Sequence, residues 1–163
     1  MHNAIFTVVD VTDGDLSKDE LEELGCPYEA YELFDHLGGV TDSVSEDAGS
    51  WTPKDLTDSL KDYSFVKVLA DDTFELSDNN GYISKEIERR IEKIQHMLKK
   101  QKHDDALTHY RACKILNDNI SHYVISIDRK GYENDFQTMD SFILDGFNAG
   151  KKYKVVAIND YHA

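Results

Sequence analysis

Five short apolar runs are interleaved with helix-start and helix-stop signals, and that arrangement restricts the chain to folds in which several helices pack on a small sheet. The run AIFTVVDV at residues 4–11 reads as the first strand. Ser17 followed by Glu20 is a capping box that opens a short helix, with Leu16 and Leu21 as its hydrophobic staple and Gly25 ending it. Pro27 suits the first turn of a second helix, in which Tyr28, Tyr31, Phe34 and Leu37 recur at helical spacing before Gly38 and Gly39 stop it. Residues 40–50, VTDSVSEDAGS, read as a polar loop. Thr52 and Pro53 open a third helix, with Trp51 and Leu56 as its staple and Leu56, Leu60 and Tyr63 as its buried stripe.

SFVKVLADDTFEL, at residues 64–76, reads as a hairpin turning at Ala70 to Asp72. From about Ser84 a helix carries Ile87, Ile91, Ile94 and Leu98 on one face, and KKQKHDD breaks it before a second helix carrying Leu107, Tyr110 and Leu116. Residues 84–120 are thus expected to form a helical hairpin. The remainder reads as strand HYVISID, loop RKGYEND, helix TMDSFILDGFNAG with Gly150 as terminator, and strand KKYKVVAIND. The expectation is an α+β fold with a small, mainly antiparallel sheet. With no repeat and no linker long enough to divide them, residues 1–163 read as a single domain.

Charge divides the chain more sharply than structure does. The net charge is −14, and residues 1–84 hold 20 acidic against 4 basic residues while residues 85–163 hold 12 against 14. The acidic half therefore carries −16 and the near-neutral half +2. Such a surface repels phosphates, which argues against direct DNA binding and for a basic partner. Cys26 and Cys113 lie far apart without C-x-x-C spacing, which suits a reduced, cytoplasmic setting. No run approaches the roughly 18 apolar residues of a membrane span, so no membrane partner is expected.

Several acidic stretches resemble metal sites without meeting their requirements. A calcium loop places ligands at positions 1, 3, 5, 7, 9 and 12 around a glycine at 6. Residues 9–20 put Val9 and Val11 at the first two, and residues 76–87 put Leu76 at the first and Ile87 where the bidentate Glu belongs. An Asp-x-Asp phosphotransfer motif fails at Thr12. Asp10, Asp128 and Asp160 each end an apolar strand, and an alternative reading gathers them at one sheet edge around Mg2+. His109 with Cys113, and His96 with His103, have helical ligand spacing but no second defined pair to complete a zinc site. No G-x-S-x-G, phosphate-loop or dinucleotide motif occurs, so the chain is expected to use no cofactor and not to be an enzyme.

The remaining candidates are acidic helix faces. Asp19, Glu20, Glu22 and Glu23 load the first helix, Glu29, Glu32 and Asp35 the second, and Asp55, Asp58 and Asp62 fall at i, i+3 and i+7 on the third. Side chains so spaced lie about 5–6 Å apart, a separation comparable to that of successive phosphates. In size, charge and lack of a catalytic motif the chain resembles phage and mobile-element anti-restriction and anti-CRISPR proteins, a resemblance that assigns no residue. It implies a non-enzymatic inhibitor whose acidic half occupies the basic groove of a nuclease or similar nucleic-acid-binding protein. An immunity-type protein that neutralises a basic nuclease toxin uses the same electrostatics. The basic cluster Lys85, Arg89, Arg90, Lys93, Lys99, Lys100 and Lys102 reads as a solvated helix face.

Overall fold

A computed structural model describes residues 2–37, 43–100, 106–116 and 122–162, without the side chains of His2, Phe34, Asp35, Ser43, Lys114 and Leu116. It contains strands β1 (His2–Asp10), β2 (Ser43–Ser45), β3 (Val66–Ala70), β4 (Thr73–Leu76), β5 (Tyr123–Ile127), β6 (Glu133–Thr138) and β7 (Lys152–His162). The helices are α1 (Lys18–Leu24), α2 (Ala30–Leu37), α3 (Pro53–Leu60), α4 (Tyr82–Lys100), α5 (Ala106–Leu116) and α6 (Met139–Leu144). The fold is α+β. Contacts group the chain into two compact units, Met1–Asp78 with Ser121–Ala163, and Asn79–Ile120.

The first unit is built on a seven-stranded mixed sheet ordered β3-β4-β7-β1-β5-β6. Among the described residues its one parallel pair is β1 with β5, in a register that sets Ile5 beside Tyr123 and Val9 beside Ile127. The long β7 runs antiparallel to β1, and its other edge is shared by β4 and the three-residue β2. Ala157 pairs with Thr7 and Val155 with Val8, so Val156 is an extra residue that bulges the strand.

Because β1 is central and apolar at nearly every position, it is buried from Asn3 to Val9 and both sheet faces are covered. One face carries Ile5, Val9, Ile125, Ile127 and Tyr161, packed under Leu24 of α1 and Leu33 and Leu37 of α2. On the opposite face Phe6 meets His122 edge-on, His122 meets Trp51 just before α3, and Phe74, Tyr153 and Phe142 of α6 form an aromatic trio. Tyr63, just past α3, donates its hydroxyl to Asp140 of α6 at 2.5 Å. The sheet therefore separates α1 and α2 from α3 and α6.

Local signals placed several boundaries. The Ser17–Glu20 capping box is formed in both directions, and Thr52 and Asp55 cap α3 with Pro53 at its first position. Gly25 ends α1 with a φ of −78°, so its need for glycine is spatial: a Cβ there would lie 2.7 Å from the Leu21 carbonyl oxygen. Gly150 takes a φ of +80° after a 3-10 turn over Gly146–Asn148, a conformation glycine adopts without strain.

Other boundaries moved. α2 begins at Ala30 rather than in the turn after Pro27, because the Tyr28 main chain is bound to the Asn159 side chain instead of a helical partner. Its buried positions include Leu33 and Leu37, whereas Tyr31 is 66% exposed. Two strands arise where polar loops are expected: β2 within residues 40–50, and β6, which begins inside RKGYEND. Both are short and polar, and they pair because β7 and β5 present open edges to them.

The second unit holds the helical hairpin, with α4 and α5 packed together. Glu86 accepts from both Arg89 and Arg90. On the predicted apolar stripe of α4, Ile87 and Ile91 are about half exposed while Ile94 and Leu98 are partly buried. Gly38, Gly39 and residues 101–105 lie outside the described residues.

Candidate functional site

The ten acidic positions do not form one surface. Those of α1 and α2 lie on the Ile5 and Val9 side of the sheet, and those of α3 on the Phe6 side. Asp62 falls beyond the end of α3 at Leu60, so the predicted row of three is broken. Asp55 is committed to structure, accepting from the Thr52 main-chain N–H and from its hydroxyl, each at 2.7 Å. These hydrogen bonds hold its carboxyl below the ordinary value. Asp58 is paired with Lys61.

On the other side, Asp19, Glu22, Glu23, Glu29 and Glu32 are exposed. Glu22 lies 3.7 Å from Lys18, an exposed pair of small energetic weight. Two acids of this group also serve structure: Glu32 accepts from the Glu29 N–H at 3.2 Å at the start of α2, and Glu20 caps α1. Its carboxylate accepts from the Ser17 N–H at 2.7 Å and meets Arg129 at 3.4 Å, and the bonds from Ser17, then Arg129, hold its carboxyl low. The Asp35 side chain lies outside the described residues.

The turn between β5 and β6 completes this surface. Asp128 Oδ1 accepts from the N–H groups of Lys130 and Tyr132, which folds the turn, and Arg129 reaches the Gly14 carbonyl and Glu20. At Gly131 an added Cβ would touch the Leu24 side chain at 3.6 Å, which places the turn against α1. Between them is a cleft of about 190 Å³ lined by Glu23, Cys26, Tyr28, Glu32 and, at the sheet, Thr7 and Ile127. Burial, then Glu133 and Glu32, push the Tyr28 hydroxyl up to about 12. Tyr31 is likewise raised, by Glu29 and then Glu32. Tyr31 and Tyr132 are 66% and 70% exposed, giving the surface two aromatic side chains of the kind enriched at interfaces. Glu133 and the tyrosines escape sequence reasoning because it is the chain reversal at Asp128 that brings residues 131–133 beside α1 and α2.

The three strand-end aspartates do not converge. Asp10 and Asp128 follow the paired residues Val9 and Ile127 at one end of the parallel strands, but Asp160 pairs with Ala4 toward the other end of β1, because β7 runs antiparallel. There it accepts from the Trp51 indole N–H at 2.9 Å. Asp10 accepts from Thr12 and lies 4.0 Å from Lys151, at the mouth of a polar cleft of about 420 Å³ that Asp135, Asp145, Asn148 and Tyr153 also line.

Among the described residues no group of three or more His, Cys, Asp or Glu is placed to hold a metal ion. Glu20, the twelfth position of the first calcium-like loop, serves the helix cap, and Asp15 pairs with Lys152 at 3.1 Å. In the second loop Asn79 accepts from Gly81 N–H in the turn that begins α4. His109 and Cys113 lie within 3.9 Å of each other, and His103 is outside the described residues. The basic cluster of α4 contributes Arg89, Lys93 and Lys99 to a shallow groove with Glu92 and His96, and Lys102 lies outside the described residues. No described helix is long and apolar enough to cross a membrane. Comparison with family models, characterised proteins and solved structures found no match.

Proposed function

We propose that the protein is a non-enzymatic inhibitor whose α1–α2 surface occupies the basic nucleic-acid groove of another protein, a nuclease being the partner that fits best. One observation carries this reading. Five exposed acids, four in α1 and α2 and Glu29 just before α2, lie on one side of the sheet beside two exposed tyrosines, while Lys18 of α1 and Arg129 of the adjoining turn are already paired. Packing the carboxylates there costs self-repulsion, which a basic groove relieves as it would relieve that of a phosphate chain. The setting favoured by size and charge is that of an anti-restriction or anti-CRISPR protein.

The test is displacement of a labelled DNA duplex from purified basic nucleases, restriction and CRISPR effectors among them, at several salt concentrations. Displacement of the duplex from one of them, weakening as salt rises, is the expected result. Asp19→Asn with Glu22→Gln should impair it. Asp58→Asn with Asp62→Asn, which removes equal charge from the other side, should not. Equal loss in both double variants would reduce the effect to bulk charge, and no displacement from any nuclease would end the proposal.

A further inference from the structure

We infer that Asn80 is a site of spontaneous deamidation, where the chain alters its own main chain just past Asp78, the point at which the first compact unit gives way to the second. Asparagine is thermolabile because the main-chain nitrogen of the following residue attacks its side-chain carbonyl. Glycine in that position removes the Cβ that hinders the approach. Of the asparagines in this chain only Asn80 is followed by glycine. The structure leaves that junction open. Asn80 and Gly81 are exposed and lie in a turn, and a Cβ built on Gly81 would meet nothing within 4 Å. Asn80, at a φ of +47°, is the one described residue other than glycine with a positive φ. The Gly81 N–H precedes α4 and belongs to no helix ladder; among the described residues its one hydrogen bond is to Asn79 Oδ1, at 3.3 Å. The other described asparagines are held or hindered: Asn159 is fully buried and tied to Tyr28 and Ser45, Asn3 is buried, Asn148 is fixed between Phe142 and Tyr153, and Asn134 precedes Asp135.

The reaction needs only water and a base. Hydroxide takes the Gly81 N–H proton, the nitrogen bonds to Cγ of Asn80, and the side-chain amide nitrogen leaves as ammonia, closing a five-membered imide. Water then opens the ring at one of two carbonyl–nitrogen bonds. Cleavage at Cγ gives aspartate, and cleavage at the main-chain carbonyl gives isoaspartate, whose main chain runs through Cβ. Nothing is oxidised or reduced. The two products act differently on the start of α4. There the Tyr82 N–H donates to the Asn79 carbonyl at 2.8 Å, spanning residues 80 and 81, and the Lys85 N–H donates to the Gly81 carbonyl at 3.2 Å. Isoaspartate adds a main-chain carbon inside that closed turn and loosens both bonds. Aspartate keeps the main chain, tolerates a positive φ and places a negative charge before the helix N-terminus, where the macrodipole favours it.

The experiment incubates the full chain, folded and in urea, at neutral and at alkaline pH, and follows it by peptide mass mapping and by enzymatic methylation of isoaspartate. Conversion of Asn80 ahead of every other described asparagine is expected in the folded chain, faster at alkaline pH. It should run about fivefold slower than in urea, the factor that one ordinary hydrogen bond on the Gly81 N–H supplies. Asn79→Ala, which removes that bond, should bring the folded rate up to the rate in urea. Hydrogen exchange at Tyr82 and Lys85 should be faster in the purified isoaspartate form than in the wild type and unchanged in Asn80→Asp. A folded chain that keeps Asn80 intact while the chain in urea converts it, or one in which another described asparagine reacts first, would overturn the site. An unchanged rate in Asn79→Ala would overturn the role given to the Gly81 hydrogen bond, and equal exchange in all three forms would overturn the effect on α4.

Discussion

Asn159 on β7 holds the main chain of Tyr28 from both sides, its Oδ1 accepting from the Tyr28 N–H at 3.2 Å and its Nδ2 donating to the Tyr28 carbonyl at 2.8 Å. The same amide nitrogen donates to the Ser45 carbonyl at 3.1 Å. A fully buried side chain thus ties the approach to α2 and the edge strand β2 to the centre of the sheet. Asn159→Ala leaves those main-chain groups without their partner, and its expected cost is about 1–3 kcal/mol. Urea unfolding measures that loss, and hydrogen exchange should show faster opening at Tyr28 and Ser45 than in the wild type.

Asp55 and Asp58 separate structural from solvated charge on one helix. Asp55→Ala removes the carboxylate half of the α3 capping box and should cost about 1 kcal/mol. Asp58→Ala, which breaks only an exposed pair with Lys61, should change stability by less than about 0.5 kcal/mol. Thermal unfolding of the two variants under identical conditions checks the difference in sign and size.

His122 makes stability depend on pH in a definite direction. It is buried between Phe6 and Trp51 and accepts the Ala4 N–H through Nδ1 at 3.2 Å. Burial lowers its pKa from the ordinary value, and the Asp55 charge opposes that only in part. The unfolded chain, titrating near 6.5, therefore binds the proton more readily than the native one. Stability is full above about pH 6.5, falls as the pH drops through that value and levels off below the native pKa. His122→Phe should flatten that slope while lowering stability at neutral pH, because the Ala4 N–H loses its acceptor. Denaturant unfolding from pH 5 to 8 checks both effects.

Thr7→Val should stabilise the free protein by about 1 kcal/mol, since it removes a buried hydroxyl without a partner and keeps its volume. The measurement is a rise in the urea midpoint with an unchanged slope.

Signals that act over three or four residues were legible without a structure. Ser17 with Glu20, and Thr52 with Pro53, opened their helices where local capping chemistry required, and the β-branched runs around Val8 and Val155 formed the central pair of strands. Tertiary structure decided what depends on distant partners. The edge strand ENDFQT lacks the apolar pattern of a strand and is one because β5 offers it a ladder. Tyr28 leaves the helix because Asn159, 131 residues later, competes for its main chain. Most consequentially, strand direction dispersed Asp10, Asp128 and Asp160, and the sheet divided the acids of α1 and α2 from those of α3. Charge and helical spacing are properties of the local chain, whereas the side of a sheet on which a helix lands is set by the connections and register of strands far away in sequence.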